Sequence, residues 1–160
     1  MPSTAKLSYT ECDYLEDTLS HIHHVQQLLS SFAEQLYRRG QAHDLSKLSD
    51  PEKSIFHQNT VAFRRHRLGT QAYDRHGKEQ VREALRHHYA NNSHHPQHYN
   101  NGVKGMCLLD IVEMFHDCVA ASKDHGETDP YHWVAANQER FGFSDELASI
   151  FRNTITHMLS

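Results

Sequence analysis

Apolar residues recur at steps of three and four along nearly the whole chain and alternating strand-like segments are absent, so the pattern predicts an all-α fold. Leu15, Leu19, Ile22, Val25, Leu29, Phe32 and Leu36 form one face of a helix expected from about Glu11 to Arg38 and ended by Gly40. His21 flanks that face while His24 points away from it, which makes His21 the inward-looking histidine of the run HIHH. A short segment, QAHDLSKLS, leads to Asp50-Pro51, read as a helix N-cap followed by proline at the first helical position. A helix from Glu52 to about Arg67 follows. Beyond a turn at Gly69, a helix from about Lys78 to Tyr89 places Val81, Leu85 and His88 on one face, with His87 on its flank.

The stretch from Asn91 to Gly105, NNSHHPQHYNNGVKG, breaks the periodicity with Asn, Gly and Pro, yet its histidines and tyrosine mark an ordered, site-serving loop. A helix from about Met106 to Lys123 is apolar almost all round, interrupted by one acidic stripe of Asp110, Glu113 and Asp117. Carboxylates on a central helix must be paired or bound to metal. Asp129-Pro130 starts another helix, and Ser144 caps the last, with Asp145 and Glu146 in its first turn.

A length of 160 residues suits one compact domain over residues 1–160. The formal charge of -4, without a Lys/Arg run longer than a pair, argues against broad nucleic-acid binding and leaves room for a small anionic ligand. No stretch reaches the roughly 20 apolar residues needed to cross a bilayer, and Met1 to Thr10 lacks the layout of a signal peptide, so the expectation is a cytoplasmic protein without a membrane partner. Cys12, Cys107 and Cys118 are widely spaced and read as packing residues. Apolar positions on the C-terminal helix (Leu147, Ile150, Phe151, Ile155, Met158) offer a surface for a homo-oligomer.

Histidine changes the picture: 16 of them are spread along the chain, as many as Lys and Arg together. The ordered set His21, His43-Asp44, His87-His88, His94-His95 and Asp110 or Asp117 supplies the imidazoles and carboxylates that a two-metal site in a helical bundle uses. Such donors suit iron, manganese, nickel, cobalt or zinc, with magnesium the harder alternative.

The run HDLSK, preceded by an inward helix histidine and followed by a His-His pair and an aspartate on an apolar helix, resembles the HD-domain superfamily of metal-dependent phosphohydrolases. The resemblance covers roughly residues 15 to 122, with C-terminal helices over about 129–160 packed on that core. Within the superfamily, HHYANNSHHPQHYNNG…MCLLDIVEMFHDCVAA looks like a little-characterised phage and bacterial branch. The resemblance implies a helical bundle of the HD type in which His21, His43, Asp44 and Asp117 bind a first metal ion, with Asp110 as the alternative to Asp117. His87 or His88, with His94 or His95, would complete a second site. It further implies hydrolysis of a phosphate ester or anhydride, most plausibly of a nucleotide, by metal-activated water. Lys47 resembles the lysine of the HDxxK form of the motif, suited to charge developing on the phosphoryl group. The spare member of the His94/His95 pair, or His98, is a candidate proton donor, and Arg64, Arg65 and Arg86 are candidate phosphate clamps. Tyr99, or Tyr89, could stack on a base. Two other readings stay open: an HD-type di-iron oxygenase, also found in the superfamily, and a non-catalytic metal-binding helical protein.

Overall fold

A computed structural model describes residues 9–66, 75–124, 129 and 131–159, and side chains within these except at 60–66, 75–80 and 159. Among the described residues there are six α-helices and no strand, so the fold is all-α: α1 Glu11–Ala42, α2 Glu52–His66, α3 Arg75–Asn91, α4 Leu108–Asp124, α5 His132–Phe141 and α6 Asp145–Leu159. None is long and apolar enough to cross a membrane. The Gly69 turn and Pro130 lie outside the described residues.

The chain divides into two compact units, Met1–Arg38 and Arg39–Ser160, with the boundary inside α1. In the first unit α1 begins with reciprocal capping: Asp13 N–H donates to Thr10 Oγ1 at 3.2 Å, and Thr10 N–H donates to Asp13 Oδ2 at 2.7 Å. The apolar stripe predicted to face inward is exposed over Leu15, Leu19, Ile22, Val25 and Leu29. Gly40 lies inside α1 rather than ending it. A helical glycine costs only about 1 kcal/mol against alanine, and the chain turns instead at Asp44, whose φ of 57° is left-handed.

The second unit holds the core. Met114 and Phe115 of α4, Trp133 and Val134 of α5, Phe143, and Ala148, Phe151 and Ile155 of α6 are buried together. The Phe115 ring lies 5.5 Å from Trp133 and 5.3 Å from Phe151, centroid to centroid, and each large side chain so buried stabilises the fold by roughly 1.5–3 kcal/mol. Of the α6 positions read as spare apolar surface, Phe151 and Ile155 belong to this core, whereas Ile150 and Met158 are exposed. Gly142 at φ 68° ends α5, donating its N–H to Gln138 O at 2.9 Å. Ser144 Oγ then accepts from Leu147 N–H at 3.3 Å and starts α6.

Between α3 and α4 the Asn- and Gly-rich segment folds as two short 3-10 turns, Pro96–His98 and Gly102–Gly105. It is pinned at both ends. Buried Asn92 donates from Nδ2 to Ser46 Oγ and to the His88 carbonyl, each at 2.8 Å. A Cβ on Gly105 would come within 2.9 Å of Tyr99 Cβ, so only glycine fits there. The rigid path this imposes carries His94 and His95.

Candidate metal centre

The site gathers at the turn after α1, where left-handed Asp44 precedes a 3-10 turn over Leu45–Leu48. Its Oδ2 accepts from Lys47 Nζ at 2.5 Å, while Oδ1 is buried without a hydrogen-bond partner. Two imidazole nitrogens face that oxygen, His88 Nε2 at 3.4 Å and His94 Nε2 at 3.5 Å. His94 is 2% exposed, and its Nε2 is also without a partner. Buried polar atoms left unpaired are rare because each costs about 1–3 kcal/mol of desolvation. An orphaned carboxylate oxygen beside an orphaned imidazole nitrogen is the donor arrangement that a cation satisfies.

Among the described residues, two groupings of donor atoms could each hold a metal ion: Asp44, His88, His94 and His95, and His43, His94 and Asp117. His94 is common to both. His88 Nε2 and His95 Nε2 stand 2.8 Å apart, a little closer than the roughly 3.3 Å between two nitrogens on one tetrahedral ion with 2.0–2.1 Å bonds. In the second grouping His43 Nε2 lies 3.6 Å from Asp117 Oδ1, and also 3.6 Å from Asp44 Oδ2.

Two further carboxylates orient these rings. Glu113 Oε1 accepts from His43 Nδ1 at 2.9 Å and from His94 Nδ1 at 3.0 Å. Glu52, fully buried, accepts from His88 Nδ1 at 2.8 Å and His87 Nδ1 at 2.7 Å. An ionised carboxylate only accepts, so each of these Nδ1 atoms is the donor, which leaves Nε2 as the atom through which each ring could bind a metal ion. Arg39 anchors the first clamp, its Nε 2.6 Å from Glu113 Oε2 and its Nη2 2.6 Å from Asp110 Oδ1. Burial would raise the Glu113 carboxyl, but the bonds from His43 and His94, the His94 charge and the bond from Arg39 outweigh it and hold it below the usual range. Replacing Glu113 with glutamine should therefore weaken metal binding by about 10- to 100-fold with every ligand intact, as read by competition with a chromogenic chelator.

The local field separates the rings. Asp117 and then Glu113 raise His43 to about 10, so an ion binding there displaces a proton. Burial, with His94 and His88 close by, pushes His95 down to about 3. Burial next to the Asp117 charge lifts the Cys118 thiol to about 12 and keeps it protonated.

Other residues singled out from sequence have different placements. Asp110 is in neither grouping: its oxygens take Arg39 Nη2 at 2.6 Å, Ser93 Oγ and Tyr99 Oη at 2.7 Å and Cys107 N–H at 2.9 Å. The last bond fixes the start of α4. The Tyr99 hydroxyl is thereby tied to Asp110. His87 is tied to Glu52 and belongs to neither grouping. His21 is exposed on the first unit's part of α1 and is likewise in neither grouping. Both His94 and His95 are donors of the first grouping, and His95 stands outside the second. His98 is exposed with Nδ1 2.7 Å from the Tyr89 carbonyl, and Arg86 is exposed. The Arg64 and Arg65 side chains lie outside the described residues. Sequence reading missed Glu52, and it missed Arg39 and Glu113 as a clamp. The acidic stripe was the one available signal, since it set Glu113 between Asp110 and Asp117.

A family model described as a family of unknown function, DUF5662, matches residues 10–157. No curated protein and no solved structure matches the chain.

Proposed function

The chain belongs to DUF5662, a family of unknown function, and from that premise we propose that it is a divalent-metal-dependent phosphohydrolase of the HD type, acting on a phosphate ester or anhydride of a nucleotide. The observation that carries the reading is the convergence of orphaned Asp44 Oδ1 and His94 Nε2 within 3.5 Å, ringed by further nitrogen and carboxylate donors. Asp44, His88, His94 and His95, or alternatively His43, His94 and Asp117, would hold an ion, since the single lone pair at His94 Nε2 serves one ion at a time, and Asp44 turns an oxygen towards each group. Bound there, divalent ions supply Lewis-acid polarisation of a phosphoryl oxygen and bring the pKa of water towards neutrality. Glu113 and Glu52 keep the imidazoles aimed inward. Lys47, half exposed on the rim, offsets the Asp44 charge and is positioned to meet a phosphoryl oxygen. The mixed nitrogen and oxygen set suits manganese, iron, cobalt, nickel or zinc.

The test is elemental mass spectrometry of the purified protein beside Asp44→Asn, a substitution that keeps a residue tolerant of left-handed backbone. About one or two transition-metal ions per chain, lost in the variant, together with phosphate release from a nucleotide panel, is the expected result. A protein that stays metal-free after incubation with manganese, iron and zinc would sink the reading. Two retained iron ions with oxygen uptake and no phosphate release would replace hydrolysis by the oxygenase chemistry that the donor set also suits.

A further inference from the structure

A cavity of about 340 Å³ shares His95 and Asp117 with the metal centre and extends between α4 and α5. Tyr89, Met114, Trp133 and Phe141 give it aromatic and thioether surface, and Asn137 and Arg140 give it polar groups. Trp133 is 5% exposed, packed against Phe115 and Phe151, and its indole N–H is the third buried polar atom without a partner among the described residues. The N–H itself is buried, so what Trp133 gives the cavity is ring surface. Arg140 stacks its guanidinium 4.7 Å over the Phe141 ring, and no carboxylate pairs with it among the described residues.

Given the phosphohydrolase reading, on which this inference rests, we propose that the cavity is the subsite for the organic part of the substrate, a planar heteroaromatic ring. The aromatic walls take the ring, and Arg140 meets negative charge on the attached phosphate. Two features favour such a ligand over a sugar phosphate or a long acyl chain. The cavity is at the small end of ligand sites, sized for one nucleoside rather than an oligomer. Its Tyr89, Trp133 and Phe141 rings suit a flat π-surface better than hydroxyls. α5, which supplies Trp133, Asn137 and Arg140, lies beyond the residues that carry the HD resemblance, so specificity is set by an element separate from the metal ligands.

Trp133 is the single tryptophan of the chain, so its emission reports the subsite directly. Asp44→Asn is titrated with each common nucleoside 5′-monophosphate, with the matching nucleosides, and with ribose 5-phosphate. The expected result is a saturable change in emission with at least one nucleotide and its nucleoside, and none with ribose 5-phosphate. Arg140→Ala in the same background should weaken the nucleotide roughly tenfold, the loss of one charge-assisted contact, while leaving the nucleoside unchanged. Absence of a saturable response in protein with native circular dichroism, or equal affinity for ribose 5-phosphate, overturns the proposal. Because the readout needs no metal, a subsite that binds in a protein that never takes up metal would isolate failure to the hydrolase reading. Asp44-dependent phosphate release without any response would isolate it to the subsite.

Discussion

Asp110→Ala should destabilise the protein by about 3–5 kcal/mol, the penalty of breaking a largely buried ion pair by deleting one partner. Asp110 is 2% exposed and takes four donors from three separate parts of the chain: α1, the loop after α3, and the start of α4. Its removal would leave the Ser93 and Tyr99 hydroxyls and the Cys107 N–H without an acceptor, and free one edge of Arg39. Urea denaturation gives the measurement, and Asp117→Ala is the control. The Asp117 variant should lose one of the two donor groupings with a smaller loss of stability, while the folded fraction of Asp110→Ala should keep both. The reverse outcome would make Asp110 the ligand. The acid limb follows from the same residue. Burial would raise its carboxyl, but the bonds from Tyr99, Cys107 and Ser93 prevail and hold it below its ordinary 3.8. A carboxyl depressed by folding stabilises above its unfolded value, and that contribution disappears as pH falls through the folded value. Wild type should therefore lose stability progressively below about pH 4, and Asp110→Asn should show a shallower acid limb.

His94→Ala should bring metal content and phosphate release to background together, because His94 is the one residue common to both donor groupings. Losing Asp117 removes a member of one grouping only. The fold should tolerate the His94 change better than its burial implies, since deleting the ring also removes an unpaired buried nitrogen. Calorimetric titration with manganese or zinc separates the cases: no binding for His94→Ala, and binding kept by Asp117→Ala through Asp44, His88, His94 and His95. Undiminished binding by His94→Ala would rule out its place in either grouping.

Local rules made much of the fold legible. The Ser144 cap, the helical periodicities of α2, α3, α4 and α6, and the importance of the segment after α3 follow from spacing and from turn chemistry. Gly40 misled because a single unfavourable residue cannot end a helix that its neighbours sustain. The apolar stripe of α1 was visible in sequence, but spacing names a face without naming what, if anything, covers it. At the centre, His43, Asp44, His88, His94, His95 and Asp117 were all within reach of motif and resemblance. The choice between Asp110 and Asp117 was not, because residues seven apart share one helix face and only the placement of Arg39, Ser93 and Tyr99 gives them different partners. Glu52 and Glu113 were hidden for a related reason: each clamps histidines at least 19 positions away in the chain, and distant pairings leave no periodic trace.

The backbone at Asp44 has a consequence for how relatives of this chain can be sorted. A non-glycine residue at φ 57° carries roughly 1–2 kcal/mol of strain that glycine would relieve, so Asp44→Gly should approach or exceed the wild type in stability while losing the centre. Selection for stability alone would therefore favour glycine at this position. A family member with glycine there would lack the Asp44 donor in either role, and one that keeps aspartate forgoes that relief for the sake of a carboxylate.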